Sequence, residues 1–521
     1  MKREKMIEIL NRQTKTYDFI VIGGGAAGIG IALEASARGY SVALFEKADF
    51  TKSTSSKSTK IAHGGVRYLA QGNVALVREA CVERGLLRQN APHLVKNLWF
   101  IIPTAGLWEE IMYTLGLTFY DMLAGRLGLG KSKPISKKKT LKRIPTLNPN
   151  KLTAGVVYHD GQFDDSRLAI NSLETAVEHG AVVLNYTSVT ELLKDQDGKL
   201  SGVTIRDEEP KQTFSVLGKN IINATGVFAD DILNMDNPKH QKLVAPSQGV
   251  HLIIDKSFLP GNDAIMIPKT DDGRVLFLVP WHDRVILGTT DTPVKEALLE
   301  PKALEEEIEF ILKTAGRYLS KVPKRSDVLS VYAGLRPLAA PKAEGKKTKE
   351  ISRSHKIYVS DSGLLTIIGG KWTTYRKMGE DLVNRAEQER KWQHTNTKTK
   401  HLKIHGYKKD TDLSDPLYFY GTDKESIMKL VEETPSMKQI ISKKLNIIKA
   451  QVVWSVRNEM ARNVEDFLAR RVRAQLLDAR ESIKIAPIVA KIMAKELGRD
   501  QEWQDEQVKQ YEKITSNYIL N

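Results

Sequence analysis

Cysteine is almost absent from this chain of 521 residues, in which Cys81 is the single example. One thiol cannot form an intramolecular disulfide, and it cannot supply the ligands of a thiolate metal cluster. The sequence therefore indicates a reducing compartment, and it predicts no metal site.

Long apolar runs are missing as well. The N-terminal segment alternates basic and acidic side chains and contains no apolar stretch of the length that a secretory signal needs. The most apolar segment, residues 107–129, carries Glu109, Glu110, Asp121 and Arg126, too many charges for an uncomplicated membrane span. We therefore expect a cytoplasmic protein with no segment that crosses a bilayer.

Acidic residues are outnumbered by basic ones. The chain has 79 Lys and Arg against 63 Asp and Glu, a formal net charge of +16. Such an excess attracts anions of several kinds, namely nucleic acid, anionic lipid headgroups and phosphorylated substrates. No nucleic-acid-binding module is recognisable, so we expect no nucleic-acid partner. The length predicts about three domains.

The strongest local pattern lies near the N-terminus. A short apolar run, residues 19–22, leads into Gly23, Gly25 and Gly28, and a small-residue helical segment follows. The next predicted strand ends at Glu46, 21 residues after the middle glycine. In such a βαβ unit the glycines let the backbone approach a pyrophosphate at the helix N-terminus, and the acid accepts a hydrogen bond from a ribose hydroxyl. The pattern predicts an FAD or NAD site.

Further along the chain, strand-like and helical segments alternate. Strands are predicted at residues 181–184, 220–224, 250–254, 275–279, 285–287 and 364–368. Residues 390–403 are polar and basic without periodicity, which is typical of an interdomain linker. Helical spacing of apolar residues then dominates 405–521. This order favours an α/β domain interrupted by a β-rich one and followed by a helical domain.

Six motifs occur in a characteristic order. They are residues 23–28 with Glu46, the hydroxyl-rich stretch 53–60 leading into 63–69, and the segments 224–226, 288–291, 334–338 and 369–376. Together they resemble the FAD-dependent, respiratory glycerol-3-phosphate dehydrogenases. The resemblance covers residues 17–385, and residues 464–480 resemble the helical C-terminal domain of the same family.

The resemblance implies a fold and a cofactor. The fold is a Rossmann-type FAD-binding domain in three segments (17–90, 155–245 and 330–390), interrupted by a β-rich substrate-binding cap (91–154 and 246–329) and followed by an all-helical C-terminal domain (405–521). The cofactor is FAD. The residues implied to contact it are Gly23, Gly25, Gly28, Glu46, Ser55, Ser56, His63, Gly64, Gly65, Val189, Ala224, Thr225, Gly226, Gly370, Lys371 and Thr373.

The resemblance also implies a reaction, the oxidation of sn-glycerol 3-phosphate to dihydroxyacetone phosphate by hydride transfer from C2 to flavin N5. A small dianion needs cations of fixed geometry, and guanidinium binds phosphate through planar hydrogen bonds. Phosphate binding is expected from Arg67, Tyr68, Arg336 and Lys371. Either His251 accepts the C2 hydroxyl proton or Arg336 stabilises the developing alkoxide, and His63 is a further catalytic candidate. The residues alone leave these roles undecided.

In the resembling family the electrons pass to a membrane quinone. Residues 131–143 hold seven basic side chains and no acid, directly after the aromatic segment 107–129. This combination suits an anionic membrane surface. We therefore expect a peripheral protein on the inner face of the cell membrane, and a homodimer is compatible with the motifs.

Other enzyme classes share parts of this pattern. A glycerol-3-phosphate oxidase would hand its electrons to oxygen. A soluble FAD-dependent amino-acid or hydroxy-acid oxidase would need a carboxylate clamp instead of the full set Arg67, Arg336 and Lys371. A nucleic-acid-binding flavoprotein is the last alternative, and it predicts strongly salt-dependent binding to RNA or DNA.

Overall fold

The computed structural model describes residues 1–12, 16–69, 72–150, 152–270, 273–340 and 354–520, with only the backbone of Arg67. The helices are α1 (Arg3–Arg12), α2 (Ala26–Ala37), α3 (Val66–Leu69), α4 (Val74–Asn90), α5 (Leu107–Ala124), α6 (Lys137–Arg143), α7 (Asp165–Glu178), α8 (Ala229–Asp236), α9 (Glu305–Tyr318), α10 (Tyr375–Arg390), α11 (Asp423–Glu433), α12 (Lys449–Asn458), α13 (Ala474–Leu477), α14 (Ala479–Leu497) and α15 (Gln501–Thr515). The strands are β1 (Tyr17–Ile22), β2 (Val42–Phe45), β3 (Ile61–Ala62), β4 (Val95–Thr104), β5 (Lys133–Ser136), β6 (Ala154–Phe163), β7 (Val182–Leu184), β8 (Thr187–Lys194), β9 (Leu200–Asp207), β10 (Thr213–Asn223), β11 (Val244–Asp255), β12 (Ala264–Ile267), β13 (Leu276–Trp281), β14 (Arg284–Gly288), β15 (Thr292–Pro293), β16 (Val328–Ala339), β17 (Lys356–Val359), β18 (Leu365–Ile368), β19 (Ile440–Ser442) and β20 (Ile447–Ile448).

The first sheet has eight strands with β1 near its centre. Its parallel part has the order β18-β10-β1-β2-β7, β17 is antiparallel at one edge, and β9 and β8 extend β10 as an antiparallel ribbon. The sequences of β1 and β2 are almost continuously apolar because both strands are buried, as parallel strands usually are. Each of the six strands predicted from the sequence is present, three of them in the first sheet and three in the second.

Two helices approach each other closely beside the first sheet. A Cβ atom on Gly30 of α2 would lie 2.3 Å from the carbonyl oxygen of Tyr375, and one on Gly379 of α10 would lie 2.2 Å from the carbonyl oxygen of Gly30. Neither distance can accommodate a side chain, so these glycines permit the contact between α2 and α10.

The second sheet has ten strands, in the order β15-β11-β14-β13-β12-β4-β6-β3, with β16 added to β11 and β5 to β6. Helix α9 covers part of it, and Ile308 and Ile311 share a core with Leu252 and Leu278. The β-rich part of the predicted fold is therefore present.

The membership of the second sheet differs from the predicted segments at two places. Residues 155–163 and 330–339 were assigned to the FAD-binding part, but β6 pairs with β4 along its whole length and β16 pairs with β11. Both strands are buried over most of their length, and burial alone does not tell which sheet a strand joins. The exact limits of the domains stay predictions.

The C-terminal part is helical, from α11 to α15, with one correction. The short antiparallel strands β19 and β20 form a hairpin, so the part is not all-helical. A π-helical stretch, Asp466–Arg471, lies within the segment that carries the family resemblance. Its apolar side chains, including Phe467 and Leu468, are buried against α14.

The segment 390–403 does not behave as a free linker. The ring of Trp392 stacks on Tyr40 at 5.4 Å between centroids, and Thr397 donates a hydrogen bond to Glu34 Oε2 (3.0 Å). Its polar residues donate hydrogen bonds to the buried carboxylate of Glu34. A polar sequence pattern does not distinguish this role from exposure to solvent.

Among the described residues, no helix combines the length and the apolar character that a bilayer span requires.

Candidate active site

A cavity of about 590 Å³ is lined by residues of both sheets. Ile22 and Phe45 line it from the first sheet, and His251 and Phe277 line it from the second. Nearly all of the predicted site residues that the structure describes border this one cavity.

The glycine turn between β1 and α2 forms one wall. Gly23 has φ +107°, and a Cβ atom there would lie 2.8 Å from the carbonyl oxygen of Ala224. Gly25 is the N-cap of α2 and borders the cavity. Gly28 faces the turn instead, since a Cβ atom on it would lie 1.9 Å from the Gly23 carbonyl oxygen. Its role is to let the helix pack on the turn, as expected for the third glycine.

Glu46 follows β2 and lies beside this turn. Gly24 N–H donates to its Oε2 (2.7 Å) and Ala48 N–H donates to its Oε1 (2.9 Å). Burial raises the pKa of Glu46, and the two backbone donors oppose that rise. An ionised carboxylate has about four acceptor positions, so the two remaining ones suit a ribose hydroxyl.

The hydroxyl-rich stretch divides into residues that border the cavity and residues that do not. Ser55 Oγ accepts from Ala26 N–H (2.9 Å) in the first turn of α2 and borders the cavity. Ser56 is buried away from it, with its hydroxyl 3.5 Å from the Ser53 carbonyl oxygen. Ser56 therefore does not line the cavity, and its predicted contact with the cofactor stays a prediction.

Gly64 also lies behind the cavity wall rather than in it. Its N–H donates to Tyr120 Oη (2.7 Å), and a Cβ atom on it would lie 2.3 Å from Cys81 Sγ. Tyr120 in turn donates to Asp160 Oδ1 (2.8 Å). The hydrogen bond of Gly64 thus fixes the loop from the side away from the cavity. A sequence pattern alone does not distinguish this role from contact with the cofactor.

The remaining cofactor candidates border the cavity on other sides. Thr225 donates to Asn223 Oδ1 (2.7 Å) within the Ala224–Thr225–Gly226 turn, and Val189 of β8 lies near it. His63 N–H donates to Thr373 Oγ1 (3.2 Å), which ties two of the motifs together. Gly370 has φ +82°, and a Cβ atom on it would lie 2.4 Å from Met378 Sδ.

His251 is only 3% exposed and borders the cavity from β11. Its Nε2 lies 2.8 Å from Thr59 Oγ1, and its ring stacks on Tyr332 with 4.8 Å between centroids. Burial, together with the positive charges of Arg336 and Lys60, holds the pKa of His251 well below its usual range. The imidazole is therefore neutral at physiological pH.

Arg336 is held by acceptors on several sides. Its Nη1 donates to Asp291 Oδ1 (3.0 Å), and its Nη2 donates to the Thr290 carbonyl oxygen (2.9 Å). Arg336 is predicted to bind the substrate phosphate and is also a catalytic candidate. The structure shows that it forms an ion pair with Asp291, which also borders the cavity.

Lys371 and Tyr68 lie together in the wall of the cavity. The Lys371 Nζ lies 4.1 Å from the centroid of the Tyr68 ring. Gly65, with φ +84°, brings the Tyr68 ring close to the backbone, since a Cβ atom on it would lie 2.6 Å from that ring. The Arg67 side chain lies outside the described residues, so its predicted role stays a prediction.

Sequence reasoning missed several residues of this site. Thr59, Tyr332 and Asp291 contact His251 or Arg336, and Lys57 borders the cavity while it forms an ion pair with Glu300 (2.8 Å). Thr59 and Asp291 stand inside motifs that the sequence displays, so a search for partners within them would have found both. Tyr332 carries no such signal, because it meets His251 only through the pairing of β11 with β16.

These residues fit FAD. The turn around Gly23 has no room for side chains, the N-terminus of α2 opens onto the cavity, and Glu46 retains acceptor positions. These are the features by which a Rossmann unit holds a pyrophosphate and a ribose. The cavity volume lies in the range of cofactor and small-molecule sites.

Comparison with known proteins supplies the family. Residues 18–376 match the family model of the FAD dependent oxidoreductases, and residues 365–505 match the C-terminal domain of alpha-glycerophosphate oxidase. The mitochondrial glycerol-3-phosphate dehydrogenase of Schizosaccharomyces pombe is 37% identical over 96% of this chain and 87% of its own length. The human mitochondrial enzyme is 37% identical over 95% of this chain and 73% of its own length. The chain belongs to the FAD-dependent glycerol-3-phosphate dehydrogenase family.

A solved structure of this family agrees. The glycerol-3-phosphate dehydrogenase from Bacillus halodurans, complexed with FAD, matches with a TM-score of 0.80 and 28% identity over 99% of this chain and 97% of that chain. The L-alpha-glycerophosphate oxidase of Mycoplasma pneumoniae is 19% identical with a TM-score of 0.58, a likeness of fold alone. The predicted family, fold class, enzyme class and FAD cofactor are confirmed for this dehydrogenase family member, and the roles of its individual residues stay predictions.

Proposed function

We propose that the protein oxidises sn-glycerol 3-phosphate to dihydroxyacetone phosphate and passes the electrons to a membrane quinone. The proposal rests on one observation. The glycine turn at Gly23 borders the same cavity as the side chains of His251, Arg336 and Lys371. Its described wall holds six Lys or Arg side chains and four Asp or Glu side chains, a balance that favours an anionic substrate beside the cofactor.

The glycine turn, Glu46 and the small residues at 224–226 would hold the cofactor. When bound, FAD would supply the two-electron acceptor for the hydride that leaves C2 of the substrate. The residues of the chain bind and orient the substrate and manage its hydroxyl proton.

The substrate phosphate is proposed to bind beside the cations of the cavity wall, Lys371 and Arg336. Lys371 lies against Tyr68, whose hydroxyl can add a hydrogen bond, and Arg336 offers a planar guanidinium. Because Asp291 already neutralises part of the charge on Arg336, Lys371 is expected to contribute more of the attraction for the dianion. The ion pair with Asp291 also fixes the orientation of the Arg336 guanidinium.

The C2 hydroxyl proton is proposed to move to His251. A general base must be deprotonated before it acts, and the lowered pKa keeps His251 neutral. The proton would be held at Nε2, which is the nitrogen beside the Thr59 hydroxyl. Arg336, whose charge is permanent, would stabilise the negative charge that develops on the oxygen.

A membrane surface is the proposed location, with the protein on the inner face of the cell membrane. Helix α5 exposes Leu107, Trp108, Leu115 and Met122, each at least 67% accessible. The basic helix α6 follows it in the chain. Apolar and aromatic side chains next to lysines are the combination by which peripheral proteins bind anionic bilayers.

An anaerobic titration tests the activity. The purified protein, loaded with FAD, is mixed with sn-glycerol 3-phosphate while the visible flavin bands are followed. We expect bleaching, and we expect a soluble quinone analogue to restore the bands. Glycerol, lactate and glycine serve as controls and should leave the flavin oxidised.

Three outcomes would contradict parts of the proposal. A flavin that stays oxidised with glycerol 3-phosphate but bleaches with an amino acid or a hydroxy acid would move the substrate to the oxidase alternatives. Bleaching that oxygen reverses faster than the quinone analogue would make the protein a glycerol-3-phosphate oxidase. A preparation that binds no FAD would overturn the assignment of the cavity.

A further inference from the structure

A buried ionic cluster joins the C-terminal part to the segment that follows Glu46. Asp49 is fully buried, and Arg471 donates to both of its oxygens, from Nη1 to Oδ2 (2.7 Å) and from Nη2 to Oδ1 (2.9 Å). Arg470 forms a second ion pair with Asp49 through its Nε. Asn185 donates to Oδ1 as well (3.1 Å). The Asp49 carboxylate is thus held from the C-terminal part by two arginines.

The charges of this cluster balance. Arg470 also pairs with Glu465 (2.8 Å) and Asp466 (2.8 Å), and Lys52 pairs with Glu465. Asp49, Glu465 and Asp466 therefore face Arg470, Arg471 and Lys52. Buried charges are tolerated when they are paired and hydrogen-bonded, and removal of one partner leaves an uncompensated charge. The arginines hold the pKa of Asp49 well below its usual range.

The segment that carries Asp49 borders the cavity on both sides of it. Glu46 and Lys47 precede Asp49, and residues 51–55 follow it, all in the cavity wall. The backbone is fixed at several points: Ala48 N–H donates to Glu46 Oε1 (2.9 Å), and Thr51 N–H donates to the Gly24 carbonyl oxygen (3.0 Å). Thr51 has φ +63°, an unfavourable conformation for a β-branched residue that its surroundings must maintain. Asp49 is therefore the anchor of a short, constrained segment.

We propose that Arg470 and Arg471 are positioning residues for FAD, which keep residues 46–55 in the conformation that holds the cofactor and thereby slow its release. The proposal rests on FAD as the cofactor, and it is independent of the proposed substrate and electron acceptor. It also gives the double arginine of the C-terminal motif a function that sequence reasoning did not assign.

FAD release is the measurement that tests this. We would prepare the FAD-loaded variants Arg471→Met and Arg471→Lys, dilute each into buffer with an apo-flavoprotein trap, and follow the fluorescence of the released flavin. Arg471→Met should release FAD at least tenfold faster than the unmodified protein. Arg471→Lys should be intermediate, because an ammonium group keeps the charge but cannot match the bidentate geometry.

A matched control separates positioning from loss of stability. Arg167 forms an equally buried ion pair with Glu459 of the C-terminal part (2.8 Å) and does not contact Asp49, while the Glu459 carboxylate also lies 3.9 Å from Arg471. Arg167→Met should lower the thermal unfolding midpoint as Arg471→Met does, but it should leave FAD release within about twofold of the unmodified protein. The double variant Asp49→Asn with Arg471→Met also removes the Asp49 charge that Arg471→Met leaves uncompensated. Its thermal unfolding midpoint should be higher than that of Arg471→Met, while its FAD release should stay fast.

The proposal fails if Arg471→Met and Arg471→Lys both release FAD within twofold of the unmodified protein. It also fails if Arg167→Met accelerates release as much as Arg471→Met, because the cluster would then act through general stability. If Arg471→Met does not fold, Arg471→Lys and Asp49→Asn decide the question by the same measurement, and unchanged release in both would overturn the proposal.

Discussion

His251 and Arg336 both border the cavity. His251 is neutral and Arg336 is ion-paired, and in each case the neighbouring residues are the cause. The pairing of β11 with β16 brings Tyr332 beside His251, and burial there disfavours the imidazolium form. The same pairing places Arg336 opposite Ser247, and both side chains donate hydrogen bonds to the Asp291 carboxylate, which orients the guanidinium. The residue types indicated catalytic chemistry. The protonation state of His251 and the ion pair of Arg336, however, depend on the pairing of strands that are distant in the sequence.

Replacement of Arg336 by alanine should separate catalysis from cofactor binding. Arg336→Ala removes the cation proposed to stabilise the alkoxide, so turnover with glycerol 3-phosphate should fall on the order of 10²-fold or more. FAD should remain bound because the glycine turn and Glu46 are unchanged. Steady-state kinetics and the ratio of flavin to protein are the measurements. Arg325→Ala, which removes an exposed ion pair with Glu305, is the control. Unchanged turnover in Arg336→Ala would disprove the assigned role.

His251 should make stability depend on pH in the acid range. Its pKa in the folded state lies well below 6.5, while in the unfolded chain it is about 6.5. Below that pH the unfolded state binds a proton that the folded state does not, so stability falls as the pH decreases, by up to about 1.4 kcal/mol per pH unit. Above it both states are neutral, and the contribution of His251 does not change.

The variant His251→Asn tests this pH dependence. Thermal unfolding midpoints between pH 5 and pH 7.5 should decline less steeply toward low pH than those of the unmodified protein. His93, whose pKa burial lowers to about 3, contributes in the same direction in both proteins and cancels from the difference. His179→Gln, at an exposed position, is the control and should leave the slope unchanged. Parallel slopes for His251→Asn and the unmodified protein would refute the neutral, buried state.

Helix α5 shows how one element can serve two surfaces. Leu107, Trp108, Leu115 and Met122 are exposed, while Tyr120 is fully buried and accepts from Gly64 N–H beneath the His63–Gly65 loop. The exposed apolar face has the composition expected of a membrane contact, and the buried face supports the cavity wall. The aromatic character of this segment was evident from the sequence, but its division into faces depends on packing.

Local patterns predicted the elements better than their assembly. The βαβ unit, the glycine turn and Glu46 were predictable because strand, turn and helix are adjacent in the chain. The membership of β6 and β16 in the second sheet was not, since it depends on pairing between distant segments. For the same reason the neighbours of His251, and the buried positions of Ser56 and Gly64, could not be derived from spacing.

The exposed face of α5 should bind anionic vesicles. The triple variant Trp108→Ser, Leu115→Ser and Met122→Ser removes three apolar side chains, and full burial of such a side chain contributes about 1.5–3 kcal/mol. Sedimentation with phosphatidylglycerol vesicles should show at least tenfold weaker binding. A control variant with serine at Leu298, Leu413 and Ile440, which are similarly exposed elsewhere, should bind as the unmodified protein does. Equal losses of vesicle binding in both variants would contradict a membrane contact through α5.

Charge reversal at Lys137, Lys138 and Lys139 should weaken vesicle binding mainly at low salt, because salt screens exposed charges.

At the scale of the whole molecule, buried ion pairs connect the C-terminal part to segments that flank the strands of the first sheet. Arg470 and Arg471 both pair with Asp49, and Arg167 pairs with Glu459, whose carboxylate also lies 3.9 Å from Arg471. The cavity wall also includes residues of the second sheet. A ligand that binds in this cavity therefore contacts a network that extends beyond the Rossmann unit.

FAD binding should consequently stabilise the C-terminal part as well as the cavity wall. A ligand at 100 times its dissociation constant stabilises the folded state by about 2.7 kcal/mol, and amides that exchange through the same cooperative opening slow accordingly. Hydrogen exchange of the protein with and without FAD should therefore show slower exchange at residues 46–55 and at the π-helical stretch Asp466–Arg471. The hairpin of β19 and β20, which among the described residues forms no ion pair with the segment 46–55, should exchange equally in both states. Slower exchange confined to residues 46–55 would mean that the C-terminal part opens independently of the cofactor domain. Because unfolding of Asp466–Arg471 must break the ion pairs of Asp49, slower exchange in both segments would identify them as one cooperative unit.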